Sequence, residues 1–174
     1  MKNSLMILLS LLLACEVSAQ ENKFYRQGYV GDVEMSVKAA LQKEVYADFF
    51  SVYTMHGYAF GDGAFIGAGL GVKLLERANK YNFDIPVFVQ ADYHFLDKQF
   101  SPFVALRSGV QFSPDSTGTF TVFINPRIGV DLGRFYAQLG YNLHSGHQSV
   151  MVGRSTSVEY YRLHQLEAGF GFRF

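Results

Sequence analysis

The chain has 174 residues, with 15 Lys+Arg balanced by 15 Asp+Glu and a formal charge of zero. That length suits one domain with a substantial core. The charge balance excludes the basic surplus of a nucleic-acid binder and the acidic surplus of a disordered tail. With 17 Phe, 11 Tyr, 17 Gly and no Trp, the composition favours an all-β chain, because aromatics suit a pleated surface and glycine suits its turns.

The first residues form a separate object. Lys2 supplies a positive start, Leu5 to Leu13 an apolar run broken only by Ser10, and Val17-Ser18-Ala19 a small-residue exit. This is the pattern of a secretory signal peptide over residues 1–19, cut after Ala19. The apolar run is too short to span a membrane as a helix, which takes about 20 residues. The single cysteine, Cys15, lies inside this segment, so cleavage leaves a mature domain of residues 20–174 without disulfides. A competing pattern, Leu12-Leu13-Ala14-Cys15, loosely matches a lipoprotein processing site, although Leu13 fits it poorly.

The rest of the chain reads as about eight alternating segments, as a small membrane barrel requires. The first, Gly28 to Val37, sets Tyr29, Val33, Met35 and Val37 against Asp32, Glu34 and Ser36. The second, from about Val45 to Phe60, is mixed on both parities, and Asp48, Thr54 and His56 are read as facing inward. Gly61-Asp62-Gly63 then forms a tight turn. The third sets Ile66, Ala68, Leu70, Val72 and Leu74 against Gly67, Gly69, Gly71 and Lys73. The fourth sets Ile85, Val87, Val89, Ala91, Tyr93 and Phe95 against Phe88, Gln90, Asp92 and His94. In the fifth, Val104, Leu106, Ser108, Val110 and Phe112 oppose Ala105, Arg107, Gly109 and Gln111. In the sixth, Phe120, Val122, Ile124, Ile128, Val130 and Leu132 oppose Thr121, Asn125, Arg127, Gly129 and Asp131. In the seventh, Phe135, Ala137, Leu139, Tyr141 and Leu143 oppose Tyr136, Gln138, Gly140, Asn142 and His144. The last, ending the chain, sets Leu166, Ala168, Phe170, Phe172 and Phe174 against Glu167, Gly169, Gly171 and Arg173.

In the last six segments the apolar parity carries no charge, while the opposite parity holds glycine and nearly every ionisable group. A soluble sandwich would turn its apolar face inward and gain nothing from glycines facing water. A narrow barrel of about eight strands has room inside only for small or interlocking side chains. The pattern therefore predicts a transmembrane antiparallel up-and-down barrel with a lumen of paired charges: Asp32, Glu34, Asp92, Asp131 and Glu167 with Lys73, Arg107, Arg127 and Arg173. Arg107 and Arg127, near Asp92 and Asp131, read as a buried salt network.

Short turns are expected at 61–63, 97–102 and 133–134, with longer outer loops at 38–44, 75–82, 113–119 and 145–160. Aromatic girdles are expected from Phe60, Phe95, Phe103, Phe135 and Phe174 at one interface and from Tyr81, Phe83, Phe112, Phe120 and Tyr160 at the other. Pro126 falls inside a segment and calls for a bulge at Asn125-Pro126. Pro86 sits near the start of its own segment.

The pieces T-M-H-G-Y-A-F-G (Thr54 to Gly61), F-I-G-A-G-L-G-V (Phe65 to Val72), I-P-V-F-V-Q-A-D-Y (Ile85 to Tyr93), S-P-F-V-A-L-R-S-G (Ser101 to Gly109), N-P-R-I-G-V (Asn125 to Val130) and the terminal G-F-G-F-R-F resemble the small outer-membrane β-barrel proteins of Bacteroidetes, similar in style to the OmpA and OmpX barrels. The resemblance covers most of the mature chain and implies fold and location rather than an activity. It also implies that Phe170, Phe172 and Phe174 form the C-terminal signal read by the outer-membrane insertion machinery.

Three constellations carry candidate chemistry. His147-Gln148-Ser149, with Glu159 further on, resembles the His-x-Ser pair and acid of outer-leaflet lipid A deacylases, where histidine would activate the serine. His144, His147 and His164 could hold a metal. The basic residues Lys38, Lys43, Arg77, Lys80, Arg154 and Arg162 could meet lipopolysaccharide phosphates. Each has a blander reading as ordinary loop polarity, and that reading is preferred. The sequence is accordingly read as a non-catalytic outer-membrane barrel without a cofactor or metal, with a structural or interaction role through the 145–160 loop. Its expected partners are outer-membrane lipid and lipopolysaccharide, the insertion machinery and a surface partner, with no nucleic acid. A narrow channel is the second reading and a lipid-modifying hydrolase the third.

Overall fold

Alternation with a period of two, repeated along the chain, produces strands with unlike faces, and in the computed structural model these close on themselves. The structure describes residues 25–41, 48–77, 80–114, 120–152 and 155–174. The predicted signal segment 1–19 lies outside them. Eight strands follow in chain order: β1 (Gln27–Ala40), β2 (Asp48–Phe60), β3 (Ala64–Arg77), β4 (Lys80–His94), β5 (Phe100–Phe112), β6 (Phe120–Leu132), β7 (Phe135–Val152) and β8 (Ser155–Arg173). Each pairs antiparallel with the next, and β1 pairs with β8, giving a closed barrel with no free sheet edge around its girth. The seam is tied at its end by Gly31 N to Phe174 O (2.9 Å) and Phe174 N to Gly31 O (2.8 Å).

The start of β1, the C-terminal Phe174 and the turns 61–63, 95–99 and 133–134 lie at one end of the barrel, called here the terminal end. Gly61, Gly63 and Gly133 take φ of 83°, 93° and 87°. Tight turns require this left-handed region, and only glycine enters it freely. The far end differs from expectation. The predicted loops at 75–82 and 145–160 are largely strand, since β3 and β4 pair out to Arg77↔Lys80 and β7 and β8 out to Val152↔Ser155. In the β7–β8 hairpin, Ser, Val and Thr support a pleat as well as they support a loop.

The exterior is apolar. Ile66, Leu70, Val89, Leu106, Ile128, Leu139 and Phe170 are exposed side chains. Among the residues whose side chains are described, Arg162, near the far end, is the ionised one at an outward strand position. The interior inverts this, with Asp32, Glu34, Lys73, Arg107, Arg127 and Glu167 all buried.

Several positions correct the sequence reading. In β2 the inward residues are Ser51, Tyr53 and Met55, all buried, whereas Thr54 is half-buried and His56 exposed. Tyr53 supplies a ring for lumen cations, and Met55 fills an apolar gap beside Val30, Ala59, Phe65 and Phe88. His56 is satisfied outside by the Tyr29 hydroxyl at 2.6 Å. Asp48 lies beyond a register break between Asp48 and Phe50, and its side chain is outside the described residues. Phe103 is no girdle residue but a buried lumen ring, stacked on His94 with centroids 5.1 Å apart.

Pro126 causes no bulge. β5 pairs with β6 without interruption through Leu106↔Pro126, and β6 meets β7 at Ile124↔Leu143 and again at Arg127↔Gly140 with the same offset. The proline costs ladder contacts on one side only, because it removes a donor without adding a residue. Pro86 is not near a strand start either. It sits mid-β4 with its side chain inward, and the β3–β4 ladder skips from Leu70↔Val87 to Lys73↔Asp84.

Candidate functional site: the charged lumen

The glycines on the inward parity make room for large partners. A Cβ on Gly171 would stand 2.2 Å from the Tyr136 ring, and one on Gly69 would stand 2.5 Å from the Phe88 ring. Aromatic and guanidinium groups occupy the space these residues leave empty.

At mid-height a charge cluster crosses the lumen. Glu34, fully buried on β1, receives Arg107 of β5 through Nη1 to Oε1 (3.2 Å) and Nη2 to Oε2 (2.8 Å). It also receives Arg127 of β6 through Nη1 to Oε2 (3.0 Å) and Nη2 to Oε1 (2.6 Å). The Tyr136 hydroxyl donates to Oε2 as well, at 3.0 Å. Two bidentate forks on one carboxylate are the geometry in which guanidinium binds most strongly. Arg107 is further held by Gln90 Oε1 at 2.7 Å, with its guanidinium carbon 4.1 Å from the Phe88 ring centre and 4.7 Å from that of Tyr53. Arg127 also bridges to Glu167 at 2.8 Å. Glu167 accepts from Asn125 (2.6 Å) and from Asn142, and Lys38 Nζ lies 3.8 Å away.

A second cluster lies toward the terminal end. Arg173 pairs with Asp131 and stands 3.6 Å from Asp92, and its guanidinium faces the Tyr136 ring at 4.4 Å. Gln90 links the two clusters by donating to Asp92 at 2.8 Å. Asp92 and Asp131 thus belong to Arg173, not to Arg107 and Arg127 as the sequence suggested. Asp32 is buried, and its carboxylate oxygens have no hydrogen-bond partner among the described residues. Toward the far end, Lys73 donates to Gln111, lies 5.2 Å from the Phe123 ring centre, and Gln111 donates in turn to Asp84.

Lys38, expected in an outer loop, is a lumen residue whose Nζ donates to the Tyr53 hydroxyl at 2.9 Å. Its parity with Asp32, Glu34 and Ser36 was the available signal. Tyr53, Tyr136, Asn125 and Asn142 were not expected in the charge network, since nothing in a single strand marks a neutral residue as a partner for a distant acid.

The other constellations are dispersed. His144 points inward and stacks on Phe123, while His164 is half-buried beside the Tyr141 hydroxyl at 2.8 Å, at a register position opposite Leu143. His147 lies on β7 opposite Tyr160, and its side chain is outside the described residues. Glu159 pairs with Gln148, the residue between His147 and Ser149, and so sits on the other parity from both. The side chains of Arg77 and Lys80, and the whole of Lys43 and Arg154, also lie outside the described residues. Phe170 is exposed on the wall, and Phe172 and Phe174 are half-buried at the seam.

Neither a protein-family model nor a curated protein matches the sequence. Solved structures match by shape. Neisserial surface protein A (NspA) aligns with a TM-score of 0.54 at 14% identity, covering 84% of this chain and 97% of that one. The outer membrane protein AlkL, determined in lipid bilayers, aligns at 0.52 and 10% identity over 91% and 95%. OprG of Pseudomonas aeruginosa aligns at 0.52 and 9% identity over 89% and 99%. The fold is that of the small outer-membrane barrels. On this fold the apolar outer wall between the far-end Arg162 and the terminal turns is a lipid-facing surface, because closure satisfies the backbone internally and no described side chain on that band is ionised.

Proposed function

We propose that the chain is an integral barrel of the bacterial outer membrane, of the Bacteroidetes type, that does not conduct and does not catalyse, and that acts through structure or interaction at its far end. One observation carries this reading. Glu34 and Arg107 come from β1 and β5, which stand diametrically opposite in an eight-strand ring, and their side chains meet. A lumen bridged from wall to wall, with rings packed on the bridge, leaves no open path at that height, as suits a barrel of this strand number. The absence of catalysis is supported by the register that sets Glu159 apart from His147 and Ser149.

In this reading the terminal end faces the periplasm. Phe170, Phe172 and Phe174 serve the insertion machinery, and the long β7–β8 hairpin meets lipopolysaccharide or a surface partner. Planar-bilayer recording of the purified protein tests the central claim. The expected outcome is no stable unitary conductance, and a reproducible conductance step would replace the plugged reading with a channel.

A further inference from the structure

The three residues that lead into the barrel, Tyr25, Arg26 and Gln27, touch every turn at the terminal end. Tyr25 N donates to Asp97 Oδ1 at 2.7 Å, in the β4–β5 turn. Arg26 Nη2 donates to the carbonyl of Gly133, in the β6–β7 turn. In the β2–β3 turn, the Tyr25 ring lies where a Cβ on Gly63 would come within 3.2 Å, and the Gln27 side chain lies 3.3 Å from a Cβ built on Gly61. Both glycines take the positive φ of the turn, and at Gly63 a side chain would also meet the His94 carbonyl at 2.4 Å before reaching the Tyr25 ring. Turns joining successive strand pairs around a barrel have no other reason to share one short segment.

Beneath this segment lies a cavity of about 50 Å³, lined by Arg26, Val30, Phe65, His94, Ser101 and Asp131 among others. Asp131 is buried on this wall, its carboxylate paired with Arg173 and hydrogen-bonded by the backbone of Leu132 and Gly133. A cavity of that volume has room for a few water molecules, each needing only about 10–15 Å³ of such space, and although its lining is mostly apolar, His94, Ser101 and Asp131 offer them polar partners.

We propose that residues 25–27 form a strap that closes the terminal mouth of the barrel over a small hydrated vestibule, and that this strap controls access to the vestibule from that side. The strap is held over the vestibule by two hydrogen bonds, one exposed and one half-buried, and a ring contact, a hold weak enough to open locally while the barrel stays folded. The inference holds whether or not the charge cluster seals the lumen at mid-height.

The test is the reactivity of a thiol inside the vestibule. In the full chain carrying Cys15→Ser, Ser101→Cys places a near-isosteric thiol on the cavity wall, and Arg134→Cys provides an exposed reference on a turn. Both are treated with a cationic methanethiosulfonate reagent after refolding into lipid vesicles, and the rate is read only on protein that migrates as a folded barrel on a gel before heating. The thiol at position 101 should react far more slowly than the one at 134. Adding Arg26→Ala, or separately Asp97→Ala, should accelerate it by about tenfold, the scale on which loss of a hydrogen bond or two shifts a local opening equilibrium. A rate at 101 equal to that at 134 in the unaltered strap would overturn the proposal. So would unchanged reactivity in both strap variants.

Discussion

Arg107 and Glu34 stand 73 residues apart in the chain and meet in the lumen as a two-bond fork, at 3.2 and 2.8 Å. Neither has solvent to fall back on, so Glu34 is balanced by Arg107 and Arg127, and Arg107 by Glu34. Removing one member of a buried ionic cluster strands its partners, at a cost of about 3–5 kcal/mol. Glu34→Ala would leave the two guanidinium groups without their shared carboxylate, Arg127 keeping its bond to Glu167. The refolded variant is expected to unfold at a clearly lower urea concentration in lipid vesicles, by an amount within that range. Exchanging Arg107 and Arg127 for Met in the same protein should recover part of the loss, because no uncompensated charge then remains.

The packing of glycine against aromatic rings predicts a coupled pair. A Cβ at position 171 would lie 2.2–2.4 Å from three atoms of Tyr136, and overpacking of this kind costs about 1–3 kcal/mol. Gly171→Ala should therefore destabilise the barrel when Tyr136 is present. In a Tyr136→Ala background the same change should cost little. Equal effects in both backgrounds, measured by urea unfolding, would show that position 171 resists substitution for some other reason.

How much of this was legible before folding depends on how far a residue's meaning is local. The wall parity of Ile66 to Leu74 and Leu166 to Phe174 was legible, because alternation is a property of one strand and a one-residue slip would move every side chain to the other face. The Gly61-Asp62-Gly63 turn was legible for the same reason. β2 was not, since Tyr53 and Met55 look like wall residues until Arg107 and Lys38 are seen to need a ring and a hydroxyl on the inside. Phe103 misled in the same way. The pairing of Glu34 with Arg107 was beyond reach, because it depends on which strands closure sets opposite one another. The far-end hairpin was read as loop because Ser, Thr and Val satisfy either description until a neighbouring strand fixes the ladder.

Pro126 offers a stabilising substitution. The register runs unbroken past it on both sides, so the backbone there is already that of a strand, and only the ladder contacts between Asn125-Pro126 and β7 are missing. Its side chain is exposed on the wall, where valine is well suited to lipid. Pro126→Val restores a donor opposite β7 without altering the lumen. It should raise stability by about 0.5–1.5 kcal/mol, the net worth of one hydrogen bond, and shift the urea midpoint upward. A lower midpoint would mean that the proline is needed for the local geometry of Asn125, which bonds Glu167.

The sharpest discrimination of the membrane reading lies on the wall itself. Ile128 and Leu139 are each 61% exposed and face each other across β6 and β7 at one height. In a water-soluble protein, an arginine at either position would be close to neutral, since surface substitutions away from special features change stability by about 0.5 kcal/mol or less. In lipid the same arginine must hold its charge in hydrocarbon or drag water inward, at about 2–4 kcal/mol near the midplane of a barrel wall. Leu139→Arg and Ile128→Arg should therefore each reduce the stability of the barrel in vesicles by that amount. The matched change Arg162→Leu, near the far end, should have little effect. Because Ile128 and Leu139 are neighbours, the double variant should cost more than the sum of the two, through like-charge repulsion in a medium that screens poorly. Neutral behaviour at both positions would place this wall in water and remove the basis for calling the barrel a membrane protein.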